Sequence, residues 1–359
     1  MKKINLYIFG LSNKYIFINL IFLTLFVLFI NILEISRIVS VDENTFRIFI
    51  LLSILKTPLI ISEIIPFAII IAISFLFKNL ISNNELISIR NVGLSIIDIF
   101  KPIAISIFIY GLIIFTIINP LTALSELKFE EITSKKSMNI NSIKFIDNGM
   151  WIKNIQKNHS KNFFNISEIN LDSMKANNIK ILNIENQSKN LIISKNGKID
   201  KNIFYLNEVK IFDIDNNQLV NKKNHELKLN FESNEIKNSL INYKYVPFYR
   251  YKEHIKTLKK FNLHNDEISL YYLSEIFKPF FLIIIGFVVM GYSGKFKRNE
   301  NFFKVLFLSV LIGFFIFLFK EVVINFTKEI KLNFIISYLI IFILPLIIGI
   351  YQINKIEND

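Results

Sequence analysis

The chain has 359 residues, of which 52% are hydrophobic and 14% aromatic, and its mean hydropathy of +0.43 is positive; soluble domains hold about 45–50% apolar residues. Its formal net charge of +13 comes from 42 Lys and Arg against 29 Asp and Glu, but no clustered basic stripe or nucleic-acid-reading module accompanies it, which argues against a nucleic-acid partner. Cysteine is absent, which excludes a disulfide framework and thiolate metal sites.

From Tyr15 to Ile35 the residues are nearly all apolar, broken by Asn19, Thr24, Asn31 and Glu34. Such a run can cross the ~30 Å of a bilayer's hydrocarbon as a helix. A cleavable signal peptide would end in small residues, and "INILEISRIV" offers none. Thr57 and Pro58 supply an N-cap and a first-turn proline for a second span that reaches Ile81, with a kink expected at Pro66. A third span runs from about Ile99 to Ile118, entered through Pro102 and closed by "NPL" at Asn119 to Leu121. The sequence then turns polar to about Asp266, and spans four to six follow at about Phe277–Tyr292, Phe302–Phe326 and Phe334–Ile353.

The expected organisation is therefore an N-terminal membrane half (1–121), a central domain (122–266) and a C-terminal membrane half (267–359). Lys and Arg in short loops mark the cytoplasmic side. They gather at Lys2, Lys3 and Lys14, at Lys78, Arg90 and Lys101, and at Lys295, Lys297, Arg298 and Lys304. Both termini then lie in the cytoplasm and the central domain on the far side. Within that domain "NIKILNIEN", "NLIISKNGKI", "IFYLNEVKIFDID" and "HELKLNFES" alternate with period two or nearly so, as half-buried strands do. Asn196-Gly197 suits a tight hairpin turn, and Asn- and Asp-rich separators point to an antiparallel sandwich, barrel or jellyroll. Leu124–Met138 and Tyr249–Phe261 read as helices, the second as an amphipathic return to the membrane.

"SNNELISIRNVGLSIIDIF", Ser82 to Phe100, interrupts two apolar runs. Ser82 and Glu85 have capping-box spacing. Leu86, Ile89 and Val92 make an apolar stripe, Gly93 suits a left-handed helix end, and Ser95 with Asp98 forms a second capping signal. A short amphipathic helix over about 82–94 is expected. It is either an interfacial helix resting in headgroups or a docking element with Glu85 offered to a basic pocket.

"IPFAIIIAISFLFKNLISNNELISIRNVGLSIIDIFKPI", Ile65 to Ile103, resembles the signature of the LptF/LptG lipopolysaccharide-export permease family, with Glu85 followed eight residues later by Gly93. "EIFKPFFLIIIGFVVMGYSGKFKR" from Glu275 and "FILPLIIGIY" from Phe342 are similar to its later spans, and "GMWIKN" at Gly149 to the LptG-like start of its β domain. The resemblance, closer to LptG, implies a permease of the bacterial inner membrane. Its fold is six transmembrane helices, three and three, flanking a periplasmic antiparallel β-jellyroll. Expected partners are a second LptF/LptG-type permease, an LptB-type ATPase dimer, an LptC-type single-span protein and lipopolysaccharide. Glu85 would touch the ATPase while Arg90 and Gly93 shape the coupling helix. No G-x-x-x-x-G-K-[ST] loop occurs in the sequence; ATP and Mg would be bound by the partner, and no catalytic residue, metal or cofactor by this chain.

Arg37, just past span one, reads as a phosphate contact for the lipid or as a snorkelling anchor. Lys320 and Glu321 lie near the outer end of span five, where ionisable residues are functional candidates; neighbours on a helix diverge by about 100°, so no pairing between them is expected, and Lys320 reads as a second headgroup contact. The apolar strand face could line an acyl-chain groove or an ordinary core. His159, His225, His254 and His264 lack metal spacing and read as surface residues. A rival function is a membrane-anchored ligand sensor or envelope assembly factor without transport; the cytoplasmic loops are too short to hold an output module.

Overall fold

The computed structural model describes residues 2–38, 45–136, 143–155, 161–170, 173–185, 188–261, 263–295 and 301–358. Two compact units emerge. The first comprises Met1–Glu126 and Ser269–Asp359, the second Leu127–Ile268.

In the first unit, α1 (Lys2–Ile38) and α2 (Thr45–Ser82) are followed by the short α3 (Glu85–Asn91) and by α4 (Ile96–Ile113). The helix does not begin at Thr57. Pro58 and Pro66 lie inside α2, as apolar spanning helices tolerate, and the Thr57 hydroxyl donates back to the Ser53 carbonyl at 3.2 Å instead of accepting as a cap. Nor does the chain stop at Asn119–Leu121. A π-helical turn over Ile114–Ile118 leads directly into α5 (Asn119–Lys136). Pro120 falls just beyond this widened turn, a common device for absorbing an irregularity without ending the helix. The C-terminal part adds α8 (Asp266–Ser293), α9 (Phe302–Ile330) and α10 (Phe334–Asn358). Among the described residues, six segments are long and apolar enough to cross a membrane.

These helices pack closely through small residues, the usual device where apolar solvent gives no force between apolar helices. A Cβ at Gly111 of α4 would sit 2.7 Å from the Pro279 Cα of α8, and one at Gly313 of α9 would overlap the Ile70 side chain of α2. Serine hydroxyls add short polar bridges inside the unit. Ser293 is 3.3 Å from Ser74 and 3.1 Å from Ser309.

The second unit is built on six antiparallel strands that pair in chain order: β1 (Ile143–Ile155), β2 (Lys161–Asn170), β3 (Lys175–Glu185), β4 (Ser188–Asp200), β5 (Ile203–Asp213) and β6 (Gln218–Lys228). This order is that of a meander, and the pairings by themselves do not make a jellyroll. α6 (Ser233–Ser239) and α7 (Tyr251–Lys260) follow, and Ile236 and Phe261 join the core formed by Phe164, Ile179, Phe204 and Leu206. α7 buries Tyr251, His254 and Leu258, a stripe at helical spacing.

Alternation along the strands breaks at one row. Buried residues stand three apart at Ile166 and Ile169, Ala176 and Ile179, Ser194 and Gly197, and Leu206 and Val209, so each of β2 to β5 carries one residue more than period two allows. Asn178 and Glu208 take positive φ there, 53° and 52°, and the buried Ser194 hydroxyl reaches the Asn196 and Asn207 carbonyls at 2.8 and 2.6 Å.

Asn196-Gly197 belongs to this row and is not a turn. Asn196 faces Asn177 and Asn207 across the neighbouring strands. The reversal comes after Asp200, at Lys201 and Asn202, with Lys201 at φ 50°. Gly197 is glycine because of crowding: a Cβ would meet Ile179 Cδ1 and Phe204 Cε2 at 2.8 Å. Gly197→Ala should therefore cost about 1–3 kcal/mol as an overpacked core position. Hydrogen exchange on the whole protein should show amides of β3 to β5 opening faster, with those of α2 and α8 unchanged.

Candidate functional site

The turn between α2 and α4 is assembled differently from the expected capping box. Ser82 remains helical as the last residue of α2, so it has no extended geometry from which to cap. Asn84 makes the turn instead, left-handed at φ 59°, a conformation that Asn tolerates. Its carbonyl accepts from the Ser88 amide at 3.1 Å and the Ser88 hydroxyl at 3.0 Å. Leu86 and Ile89 of α3 are buried, whereas Val92 is 63% exposed and Leu94 takes the third apolar position. Gly93 adopts φ +87° and its amide closes on the Arg90 carbonyl at 2.9 Å. Arg90 is exposed on the last turn, where a cation complements the helix dipole. The second capping signal is a complete box between Ser95 and Asp98, reinforced by Lys101 on Asp98 at 2.6 Å.

Glu85, released from capping, accepts a hydrogen bond from the Tyr7 hydroxyl of α1 at 2.8 Å. Lys3, Ile4, Tyr7, Glu85, Ser88 and Ile89 line one open cleft of about 280 Å³. About one and a half turns further along, α1 is tied to α4: the Ser12 and Ser106 hydroxyls lie 2.6 Å apart, Asn13 donates to Ser106 at 3.2 Å, and Tyr110 donates to the Asn13 carbonyl at 3.4 Å. Tyr7 had no signal in the sequence, because its partner lies 78 residues away.

A second set of polar groups sits among the apolar helices. Contrary to expectation, Lys320 and Glu321 do pair, at 3.3 Å. Their Cβ atoms diverge, but a lysine stem is long enough to bring its ammonium to the neighbouring carboxylate, and the ammonium also stands 5.4 and 5.6 Å from the Phe281 and Phe317 ring centres, a favourable cation–π range. The Lys320 side chain is 13% exposed. On α8, Glu275 and Lys278 form a 2.8 Å ion pair, and Lys278 also donates to the Ser62 hydroxyl of α2 at 2.9 Å. A span beginning at Phe277 leaves Glu275 outside it and Lys278 at its very edge, so the pair goes unnoticed; a Glu–Lys pair spaced i,i+3 at the edge of an apolar run is the available signal. Arg37 falls on the last turn of α1, and its side chain lies outside the described residues. Glu63 is exposed.

Among the histidines, His254 is buried on α7, not at the surface. Burial pushes its imidazole pKa below the ordinary range, against a smaller opposing effect of the Asn238 backbone. His225 and His264 are half-buried, and His159 lies outside the described residues.

A comparison with curated proteins gives no match. In a comparison with protein families, residues 6–355 match the lipopolysaccharide export system permease LptF/LptG. That span takes in the apolar helices of both ends and the strands between them. The protein is a multi-pass membrane permease component, and the chain belongs to the LptF/LptG family of lipopolysaccharide export permeases.

Proposed function

We propose that the protein is the LptG-type permease subunit of an ABC transporter that draws lipopolysaccharide out of the bacterial inner membrane and passes it to a periplasmic bridge. The observation that carries this reading is the coincidence of the family match with a short, separately closed helix between the second and third spans, bearing Glu85 on its first turn. In this reading both termini and α3 are cytoplasmic and the β-sheet unit is periplasmic. ATP and Mg are bound by an LptB-type ATPase dimer; a second LptF/LptG-type permease and an LptC-type single-span protein complete the complex. α3 is the coupling helix. Glu85 meets a cationic group of the ATPase, and Arg90 and Gly93 fix the helix's charge and its end. LptG rather than LptF is favoured by "GMWIKN" at the start of the strands.

Lipopolysaccharide carries phosphates, and Arg37 and Lys320 are proposed as headgroup contacts. Lys320 is held by a carboxylate that is itself 45% exposed, so an arriving phosphate can take over the cation without leaving it bare in an apolar setting. The reading is tested by extracting the tagged protein in detergent and by depleting it in cells. An ATPase should co-purify, and depletion should trap lipopolysaccharide in the inner membrane. Glu85→Ala should lower ATPase co-purification at least tenfold, the loss of one close charge pair. Isolation without any ATPase, with export undisturbed by depletion, would overturn it in favour of a sensor or assembly role.

A further inference from the structure

We infer that Tyr7 is the positioning residue for Glu85, so that the first helix is mechanically part of the coupling element. The inference rests on the reading of α3 as the helix that meets the ATPase. Tyr7 gives its hydroxyl proton to one oxygen, Oε2, of Glu85. Among the described residues no other side chain bonds to this carboxylate, so Oε1 stays available to a second donor. A half-buried glutamate on the first turn of a seven-residue helix would otherwise sample several rotamers. Fixing one oxygen leaves the other presented in a single direction, and a docking cation meets an acceptor already aimed.

The tie also has a mechanical side. Tyr7 joins α1 to α3, and Ser12 and Asn13 join the same part of α1 to Ser106 of α4. Beyond this polar base, α1 presents Phe22, Phe26 and Phe29 on one exposed apolar face. Displacing α3 by an ångström or two therefore shifts α1 from its base, and the apolar remainder of a continuous helix follows as one body.

The test uses the complete complex in proteoliposomes, with a titration of the ATPase onto the membranes and with lipopolysaccharide released per ATP hydrolysed. Tyr7→Phe keeps the ring and removes only the donor. It should weaken ATPase binding about fivefold, the factor expected for one ordinary hydrogen bond, and lower the lipid moved per ATP. Glu85→Ala should do more, and Tyr7→Phe combined with Glu85→Ala should equal Glu85→Ala alone, because Tyr7 acts through that carboxylate. If Tyr7→Phe binds and transports as the natural protein does while Glu85→Ala fails, the positioning role is wrong and the coupling role stands. Strictly additive losses in the double variant would also overturn it. A silent Glu85→Ala would remove the coupling role itself, and Tyr7's with it.

Discussion

Lys278→Met should destabilise the protein by about 3–5 kcal/mol, the usual result of removing one partner from a buried ion pair. Glu275 is only 8% exposed, and Lys278 is its ion-pair partner at 2.8 Å. Methionine fills the aliphatic part of the lysine stem, so packing changes little and the loss reports on charge. The Ser62 hydroxyl of α2 loses its donor in the same step. The compensating variant supplies the decisive comparison. Lys278→Met with Glu275→Leu removes both charges together and should recover most of the loss, since apolar replacement of a whole buried pair is often neutral or stabilising. Thermal unfolding of the detergent-solubilised protein would measure both. If the single and double variants unfolded at the same temperature, the pair would not be electrostatically buried.

Gly111→Leu is expected to have a comparable effect through shape alone. The Cβ of any side chain at this position would lie 2.7 Å from the Pro279 Cα and 2.8 Å from its Cβ. Backbone cannot rotate away as a side chain can, so α4 and α8 must separate. Separation opens the row where Phe108 meets Phe280 and Phe100 meets Phe287, at ring distances of 5.6 and 5.1 Å. Overpacking alone costs about 1–3 kcal/mol, and losing those aromatic contacts adds roughly 0.5–1.5 kcal/mol for each pair. Gly10→Ala in α1 is the matched control: nothing lies within 4 Å of its added Cβ, and a mid-helix alanine should stabilise by about 0.5–1 kcal/mol. The two substitutions should thus move the unfolding temperature in opposite directions.

The spans were legible in the sequence because length and hydropathy suffice to specify them. Their ends were not. Thr57-Pro58 and Asn119-Pro120 look like boundaries to a rule drawn from water-soluble helices, where a proline inside a helix is rarely rescued; here α2 runs on through Pro58 and Pro66 and a π turn carries α4 past Pro120. The closing signals around α3 were read correctly at Gly93 and at Ser95 with Asp98 because they are local. Ser82 with Glu85 had the same spacing and failed, because the preceding helix carried on through the expected cap. Glu85 was singled out by resemblance, but its tie to Tyr7 depends on a distant fold contact that no local pattern reports. Lys320 with Glu321 shows the limit of wheel geometry, which places Cβ atoms and says nothing of where a flexible ammonium comes to rest.

The misread Asn-Gly pair belongs to a feature with a consequence for how such a domain can change. Four adjoining strands each hold a surplus residue at the same row, and the inward set resumes on both sides of it. A deletion at Glu208 by itself would invert one half of β5, sending Phe204 and Leu206 into water while their partners in β4 still faced inward. Strand lengths here are consequently interlocked. A shorter descendant must give up a residue from β2, β3, β4 and β5 in concert, or discard a complete hairpin, and tolerated length variation should gather at the reversals, such as Asp213 to Gln218, where nothing across the sheet has to answer for it.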